Sequence, residues 1–555
     1  MTTTTPAPAP ARTRDEALAR ITAPGQRFEL RVEDVRGQQL EVFAHRQRTL
    51  GELLRASADH GDRPYLVTEQ RRITYREHLE QVAALATALR DEHGVTKGDR
   101  VAICAANCPE WVLAFWATTA LGAVAVGLNS WWAGPEIAYA VDLAAPKVVF
   151  ADERRREIAG DLGVPVLSVE HDLPAAVARH LGAPLPAEPA DLGEDDPAVV
   201  LFTSGTTGRP KGATHSHRNV IGAAWFHLLN DAVAAEMGMP PSPDRRFFAV
   251  TPLFHIAGLH NLVVPRLVVG DTAVMHLGRF DIERVLRLIE AERVTSWGMV
   301  PTMAAKLVEH AEEHGLDDYD LSSLRMVSVN SAPSSAALKS RLREVLPVAG
   351  RALGTTYGLT ESSTAATLAS AAELAADPET VGRAVPTMQV EIRDEQGERV
   401  PDGVEGEVCL RSPLVMIGYW DDPDATAAAT TPDGWFRTGD LGVLVDGALR
   451  INSRRSDLIL RGGENIYPAE VEAALETHPD VRECLVIGVP HPSYGQEVGA
   501  VVVLTPEGTA SADALQAYVA ERIARYKVPS RWRVTTEPLP RNATGKVIRK
   551  EVPLP

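Results

Sequence analysis

Residues 201–219 read LFTSGTTGRPKGATHSHRN, and this stretch indicates the fold of the chain more strongly than any other. The apolar residues 198–202 predict a buried strand, which leads into a loop of glycines and hydroxyl side chains. Glycine lets a backbone approach a ligand closely, and hydroxyl and ammonium groups donate hydrogen bonds to anions. The loop therefore predicts a polyphosphate site, although composition alone also fits a glycine-rich surface turn. Its candidate ligands are Thr203, Ser204, Gly205, Thr206, Thr207 and Lys211.

The overall composition is that of a globular protein with several structural units. The chain has 555 residues, of which 45% are hydrophobic and 23% are charged. Its 56 Lys and Arg against 74 Asp and Glu give a formal net charge of −18, which argues against nucleic acid or an anionic membrane as a main partner. Four cysteines without a CxxC pair predict neither a disulfide framework nor a zinc site, and they fit a cytoplasmic protein.

One uncharged segment, residues 111–134, is long enough to imitate a membrane span. It contains several Gly, Thr, Ser and Asn residues and lacks Lys or Arg at its ends. We therefore expect no membrane span here, but a buried helix that ends near Gly122 and a strand over residues 123–128.

Short apolar runs alternate with helical periodicity along most of the chain, which predicts an α/β fold with much parallel sheet. Residues 1–13 are rich in Thr, Pro and Ala and predict a disordered tail. We expect a large N-terminal domain over residues 14–453, a hinge over 454–457 and a small domain over 458–555. In the small domain, Pro468 fits the first turn of a helix to about Glu476, and Ser511 fits the cap of a helix to about Tyr526.

Five polar clusters follow the first loop in a characteristic order. They are TPLFH at 251–255, YGLTE at 357–361, WFRTGD at 435–440, RGGENIYP at 461–468 and PRNATGK at 540–546. Together they resemble the adenylate-forming (ANL) superfamily of acyl-CoA synthetases, luciferase-like enzymes and peptide-synthetase adenylation domains. The resemblance covers nearly the whole chain after the tail. It implies a large N-terminal α/β domain of several subdomains and a small, mobile α+β lid domain.

The resemblance also implies an ATP-dependent ligase that joins a carboxylate to AMP and passes the acyl group to the thiol of coenzyme A. The first loop and Lys211 would hold the β- and γ-phosphates, and Thr360 would donate to the α-phosphate. Glu361 would contact Mg²⁺, because a hard cation prefers oxygen ligands. Tyr357 would stack on adenine, with Gly358, Ala332 and Pro333 nearby.

Further roles follow from the same resemblance. Asp440 would accept both ribose hydroxyls, and Arg454 would support the same sugar. Lys546 would lie between the attacking carboxylate and the α-phosphate and stabilise the charge that develops there. Gly462 and Gly463 would open a tunnel for the pantetheine arm of coenzyme A after the lid rotates.

Two positions depart from the family pattern. Ser456 occupies the hinge position, where Asp or Lys is usual, and Asn330-Ser331-Ala332-Pro333 replaces the usual Gly-Gly-Ala-Pro. The substrate pocket is expected to include His255, Asn330, Ser331, Gly354 and Gly358. Side chains at 330 and 331 would narrow the pocket or shift the nucleotide, so they bear on substrate choice and on the efficiency of one half-reaction.

The sequence also narrows the acid. No Asp follows Phe254, where amino-acid-activating domains place one, and Gly358 stands where acetate-specific ligases carry a Trp. A medium or long fatty acid, an aryl acid or a bulky polycyclic acid is therefore expected as the substrate, together with CoA. The sequence is also compatible with a homodimer. Three alternatives stay open: a ligase that loads a carrier protein, a ligase competent mainly in thioesterifying a preformed acyl-adenylate, and an inactive binding protein.

Overall fold

The computed structural model describes residues 12–203, 209–239, 244–330, 336–454, 457–461, 464–492, 494–542 and 545–555. A first sheet of seven described strands contains both strands that flank the predicted phosphate loop. Its described strand pairs are parallel except for two. Strand Lys211–Ser216 pairs antiparallel with Gly418–Tyr419 and with Pro197–Thr203. The order is Gly418–Tyr419, Lys211–Ser216, Pro197–Thr203, Val124–Gly127, Arg100–Cys104, Val148–Ala151 and Val166–Ser168.

A second sheet contains thirteen described strands and changes character along its length. Its parallel part begins at Leu353–Tyr357 and runs to Pro64–Val67, and the other described pairs are antiparallel. The strand order is Gln389–Arg393, Gly406–Arg411, Phe436–Val445, Ala448–Arg454, Thr380–Ala384, Thr367–Ala369, Leu353–Tyr357, Met326–Val329, Ser296–Met299, Arg246–Ala249, Thr272–Met275, Pro64–Val67 and Arg72–Thr74.

Two smaller sheets complete the strands. Leu30–Val35 pairs with Gln38–Phe43 near the N-terminus. The C-terminal sheet has the order Glu464–Ile466, Ile459–Arg461, Gly495–Leu504, Val481–His491, and Arg531–Thr535 pairs with Gly495–Leu504.

Helices cover the faces of the two large sheets, where they form apolar cores, and a separate apolar cluster forms the core of the C-terminal part. The α-helices are Arg14–Ile21, Leu50–Ala56, Tyr75–His93, Pro109–Ala120, Gly134–Ala144, Glu153–Ala159, Asp172–His180, His217–Glu236, Val264–Val269, Ile282–Glu292, Pro301–His314, Ala336–Val345, Ala349–Ala352, Ala371–Ala376, Pro423–Ala428, Pro468–Glu476 and Ala512–Ala520. Short 3₁₀ helices lie at Ser57–His60, Thr360–Ser362, Arg525–Lys527 and Arg549–Glu551, and a π-helical turn spans Leu259–Val263.

The uncharged segment forms the predicted helix and strand, Pro109–Ala120 and Val124–Gly127, both buried. Among the described residues, no helix combines the length and the apolar character that a membrane crossing requires. One boundary was predicted wrongly: Ser511 does cap a helix, but that helix ends at Ala520 instead of Tyr526. Ile523 packs into the apolar core of the C-terminal sheet, which takes the chain off the helical path.

Candidate active site

Strand register brings together the two ends of the predicted phosphate loop. Lys211 is the direct partner of Thr203 across the antiparallel pair, so the intervening residues form a connection between neighbouring strands. Residues Ser204, Gly205, Thr206 and Thr207 lie outside the described part of the chain. Thr203 and Lys211 are both half-buried, and their side chains remain available to a ligand at this end of the sheet.

Asn219 positions the strand that borders Lys211. Ser216 caps the helix His217–Glu236, with its Oγ accepting from the Asn219 backbone N–H at 3.3 Å. The Asn219 side-chain amide donates to the carbonyls of Pro413 and Val415 at 2.7 and 3.1 Å. These bonds hold the segment that leads into Gly418–Tyr419 against the helix, so that Tyr419 pairs with Ala213.

Tyr419 connects Lys211 with Glu361. Its hydroxyl donates to Glu361 Oε1 at 2.9 Å, and the Lys211 ammonium lies 5.0 Å from the centroid of its ring. The backbone carbonyl of Glu361 also accepts from Met416 N at 2.8 Å. Burial and the Glu361 charge raise the pKa of the Tyr419 hydroxyl, so this group stays a proton donor.

Asp440 lies in a second polar group, together with Tyr357 and Arg454. The Tyr357 hydroxyl donates to Asp440 Oδ2 at 2.7 Å, and Arg454 Nε lies 3.2 Å from Oδ1. Asp440 is buried and pairs with Arg454 in strand register, which fixes the carboxylate. Each carboxylate oxygen has two lone-pair sites, so Asp440 can still accept from two hydroxyl groups of a ligand.

The last loop brings Lys546 close to both groups. The Lys546 backbone N–H donates to Asn542 Oδ1 at 2.9 Å, which stabilises a tight turn. Gly545 has φ +78°, and a Cβ added there would lie 2.4 Å from Thr302 Oγ1 at the start of Pro301–His314. Burial and the Arg454 charge lower the pKa of Lys546 to about 8, against the opposing effect of Asp440 and Glu361.

His255 is half-buried beside this lysine. Its Nδ1 accepts from the Ala257 backbone N–H at 3.2 Å, so the proton of the neutral ring is on Nε2. Burial lowers the pKa of His255 to about 4, and the charge of Lys546 adds to this effect. The ring is therefore neutral at physiological pH and presents an N–H donor.

Asn330 has its side-chain amide bound within the sheet. Its Oδ1 accepts from the backbone N–H and the hydroxyl of Thr356, both at 3.0 Å, and its Nδ2 donates to Ser328 Oγ at 2.8 Å. The amide therefore joins the ends of two neighbouring strands immediately before Tyr357. Gly354 lies opposite Ser328 in the same pair of strands.

Gly358 packs too closely for a larger residue. A Cβ there would lie 2.5 Å from the Thr364 carbonyl oxygen and 3.1 Å from Ala365 Cα. Thr360 begins the 3₁₀ turn that follows and, like Glu361, is half-buried. The remaining predicted site residues, Ser331, Ala332, Pro333, Gly462 and Gly463, together with the departure Ser456, lie outside the described residues.

Sequence reasoning missed Tyr419, Thr302 and Asn219. Tyr419 belongs to none of the five clusters, and its partner Glu361 is distant in sequence, so no local pattern marks it. Thr302 is recognised only in the structure, because a Cβ at Gly545 would clash with its Oγ1. Asn219 was visible as the residue three after Ser216, which is the spacing of a helix cap and its partner.

Comparison with known proteins identifies the family and the fold of the chain. The model of the AMP-binding enzyme family matches residues 53–420, and that of the AMP-binding enzyme C-terminal domain matches residues 470–546. A feruloyl-CoA synthase of an Amycolatopsis species is 38% identical, over 86% of this chain and 93% of the relative. An indoleacetate–CoA ligase of Aromatoleum aromaticum is 34% identical, over 87% and 93%. The solved structure of o-succinylbenzoate coenzyme A synthetase from Bacillus subtilis, in complex with ATP and magnesium ion, superposes with a TM-score of 0.77 at 30% identity, over 90% of this chain and 98% of that chain.

The fold and the site together define an adenylate-forming enzyme with a large N-terminal domain and a small C-terminal domain. The chain belongs to the AMP-binding enzyme family, and it is an ATP-dependent acyl-CoA ligase of the AMP-forming class. The fold class and the family predicted from the sequence are thereby confirmed.

Proposed function

We propose that this ligase activates an apolar carboxylic acid larger than acetate in two steps, with Mg²⁺·ATP and coenzyme A, at the site around Lys546. The observation that carries the proposal is the meeting of one ammonium from the C-terminal domain with Asp440 and Glu361 of the N-terminal domain and with Arg454 at the start of the hinge. Such a meeting would serve a reaction in which negative charge moves between a carboxylate and a phosphate.

In the first step, a carboxylate oxygen of the acid attacks the α-phosphorus of ATP. A new O–P bond forms, the bond to the bridging oxygen breaks, and pyrophosphate leaves with the electron pair. Lys546 neutralises the charge on the attacking carboxylate and on the α-phosphate, which otherwise repel each other. Thr360 donates to the same phosphate, and the loop of Thr203, Ser204, Gly205, Thr206 and Thr207 holds the departing phosphates with Lys211.

Glu361 is chemically suited to Mg²⁺. Tyr419 donates to one of its oxygens, and no described residue bonds the other, Oε2. A carboxylate oriented in this way is the hard oxygen ligand that Mg²⁺ prefers. The ion would offset the charge of the phosphate oxygens.

The nucleotide would lie along Tyr357 and Asp440. The Tyr357 ring would stack on adenine while its hydroxyl holds Asp440, whose open lone pairs accept the ribose hydroxyls. Arg454 supports the same sugar. Gly358, Ala332 and Pro333 would border the base.

In the second step, the thiolate of coenzyme A attacks the carbonyl carbon of acyl-AMP. A C–S bond forms, and AMP leaves with the electrons of the C–O bond. The C-terminal domain would rotate between the steps, which removes Lys546 and brings Gly462 and Gly463 to the pantetheine arm. His255 would contact the carboxylate end of the acid beside Asn330, Ser331, Gly354 and Gly358.

The acid would be a fatty, aryl or polycyclic one, and the protein would act in the cytoplasm, as a monomer or a homodimer.

Mass spectrometry of acyl-AMP and acyl-CoA, with ATP, Mg²⁺, CoA and a panel of such acids, tests the function. Lys546→Ala should lower acyl-AMP formation by about 10²–10³-fold and leave the conversion of synthetic acyl-adenylates largely intact. A preference for a holo-carrier protein over CoA would identify the carrier protein as the acyl acceptor. If the protein turned over neither free acids nor adenylates, the proposal would be contradicted.

A further inference from the structure

The turn that carries Thr360 and Glu361 ends in a backbone conformation that is unusual for its residue type. Ser363 follows this 3₁₀ turn with φ +61° and ψ −29°, and its backbone N–H donates to the Thr360 carbonyl at 3.1 Å. A residue with positive φ closes many helical turns, but glycine or asparagine usually occupies that position, because a Cβ is strained there. Ser363 is neither of these, so a contact outside the turn must hold it in place.

The left-handed residue reverses the chain at the end of the turn. After it the chain returns as Thr367–Ala369, antiparallel to Leu353–Tyr357. The two strands meet through the backbone N–H of Ala366, which donates to the Tyr357 carbonyl at 2.7 Å. The turn is thus the tip of a short connection. Because two dihedral angles per residue set the course of a chain, a change of φ at Ser363 would redirect that tip.

His215 supplies the contact that holds Ser363. Its Nδ1 lies 2.8 Å from the Ser363 hydroxyl oxygen, and both residues are fully buried. Either tautomer of the ring gives one hydrogen bond here, because a hydroxyl group can donate or accept. Burial lowers the pKa of His215 well below its usual range, so the ring is neutral. Among the described residues, His215 is the one hydrogen-bond partner of this hydroxyl.

The strand of His215 also carries Lys211. Both belong to Lys211–Ser216, and their spacing of four places them on the same face of the strand. At about 3.3 Å per residue they are roughly 13 Å apart, so His215 does not share the phosphates with the lysine. Between them on this face, Ala213 packs with Met416 and Phe436. One strand therefore joins the lysine proposed for the departing phosphates to the turn proposed for the α-phosphate and Mg²⁺.

We propose that His215 is a positioning residue for adenylation, whose bond to Ser363 keeps the turn of Thr360 and Glu361 aimed at the phosphates. The inference rests on the proposed function and adds to it a residue that touches no substrate. Without the bond, Ser363 would leave the left-handed region for part of the time, and the turn would then point elsewhere. Adenylation would slow, because the competent arrangement is populated less.

Glycine at position 363 offers a direct test, because glycine adopts the left-handed conformation without help. Ser363→Ala keeps the strain and loses the bond, so it should slow acyl-AMP formation about tenfold. Ser363→Gly loses the bond but not the conformation and should slow it only about two- to threefold. His215→Phe keeps a ring beside His260 without the nitrogen and should match Ser363→Ala. In the Ser363→Gly background, His215→Phe should cause no further loss.

The measurement is single-turnover acyl-AMP formation across a titration of Mg²⁺·ATP, with an acid that the wild-type protein turns over. We expect the slow variants to need more Mg²⁺·ATP for half-saturation, since the turn would contact the phosphates. Conversion of synthetic acyl-AMP should fall less, because Mg²⁺ and pyrophosphate take no part in it. Arg293→Gly is the matched control. Arg293 has φ +48° at the exposed end of Ile282–Glu292, so glycine relieves the same strain in another element and should leave both rates unaltered.

Equal rates for Ser363→Ala and Ser363→Gly would overturn the inference. So would a loss from His215→Phe that is the same with serine and with glycine at position 363, because His215 would then act through packing alone. The two variants of Ser363 decide the matter even if His215→Phe does not fold. Failure of the proposed function has a different signature: the wild-type protein would form acyl-AMP from no acid, which would overturn both.

Discussion

At the scale of single residues, Tyr419 contacts both Lys211 and Glu361. Tyr419→Phe keeps the ring beside the lysine and removes the donor to the carboxylate. A hydrogen bond to a charged group contributes about 1.5–3 kcal/mol, so acyl-AMP formation should fall about 10- to 100-fold at low Mg²⁺. We expect higher Mg²⁺ to recover part of the loss, because the ion then orders the carboxylate itself.

The measurement for Tyr419→Phe is the rate of acyl-AMP formation across a Mg²⁺ titration. Conversion of synthetic acyl-AMP to the thioester is the internal control, since no pyrophosphate leaves in that step. Tyr526→Phe changes an exposed tyrosine and should leave both rates unaltered. An equal loss in both half-reactions would show that Tyr419 supports the fold instead of the carboxylate.

We expect Lys546 to make adenylation sensitive to pH on the alkaline side. Its pKa is lowered to about 8, so the ammonium is present below that pH and is lost above it. The kcat/KM for adenylation should therefore fall as the pH rises through about 8, because this parameter reports on the free enzyme. With ATP bound, the phosphate charge favours the ammonium, and the fall in kcat should come at higher pH.

Lys546→Arg separates this titration from other alkaline effects. A guanidinium stays charged throughout the accessible range, so the variant should be slower but should lose the fall near pH 8. Stopped-flow measurement of pyrophosphate release between pH 6 and 10 gives both profiles. A fall that persists unchanged in Lys546→Arg would assign the titration to another group.

At the scale of secondary-structure elements, the turn at Gly545 presses against the start of Pro301–His314. Gly545→Ala would place Cβ 2.4 Å from Thr302 Oγ1, on a backbone with φ +78°. We expect the loop to be held away from the site, with adenylation lowered by about 10²-fold as the electrostatic contribution of Lys546 is lost. Conversion of synthetic acyl-AMP should be nearly normal, because in the proposed second step the rotated C-terminal domain would carry the lysine away from the site.

Two variants distinguish the clash from backbone strain. Gly397→Ala introduces alanine at φ +85° with no atom within 4 Å, so it carries the strain alone. Thr302→Ala combined with Gly545→Ala removes the nearest contact and should recover part of the adenylation rate. Single-turnover acyl-AMP formation is the measurement, and an absence of any recovery would point to strain in the loop instead of contact with Thr302.

The elements also show what the sequence could and could not predict. Local patterns located the helix Pro468–Glu476 at its observed bounds, because periodicity and caps act within a few residues. The pairing of Gly418–Tyr419 with Lys211–Ser216 was not predictable in this way. That contact depends on Asn219 holding a distant segment, and no short window of sequence contains both partners.

At the scale of the whole molecule, charged side chains outside the catalytic loop also join the two domains in the described part of the chain. Arg482 of the C-terminal domain lies 3.7 Å from Glu309 on Pro301–His314, and Tyr467 of the same domain donates to Glu405 of the N-terminal domain. The motifs predicted the separate groups of site residues, but their meeting depends on this docking. A contact surface that opens in the proposed rotation is expected to rely on weak, exposed pairs.

The charge pair Arg482 and Glu309 should tune adenylation through docking alone. Both side chains are part-exposed, so the pair contributes about 0.2–1 kcal/mol. Arg482→Glu or Glu309→Arg should each slow acyl-AMP formation by about two- to fivefold, and the double exchange should restore it, since opposite charges face each other again. Salt at about 1 M screens beyond roughly 3 Å and should erase the differences. Single-turnover rates for the four proteins, with Arg522→Glu as the control on the same domain, provide the cycle. If the double exchange were as slow as either single one, the two side chains would not be partners in the adenylating arrangement.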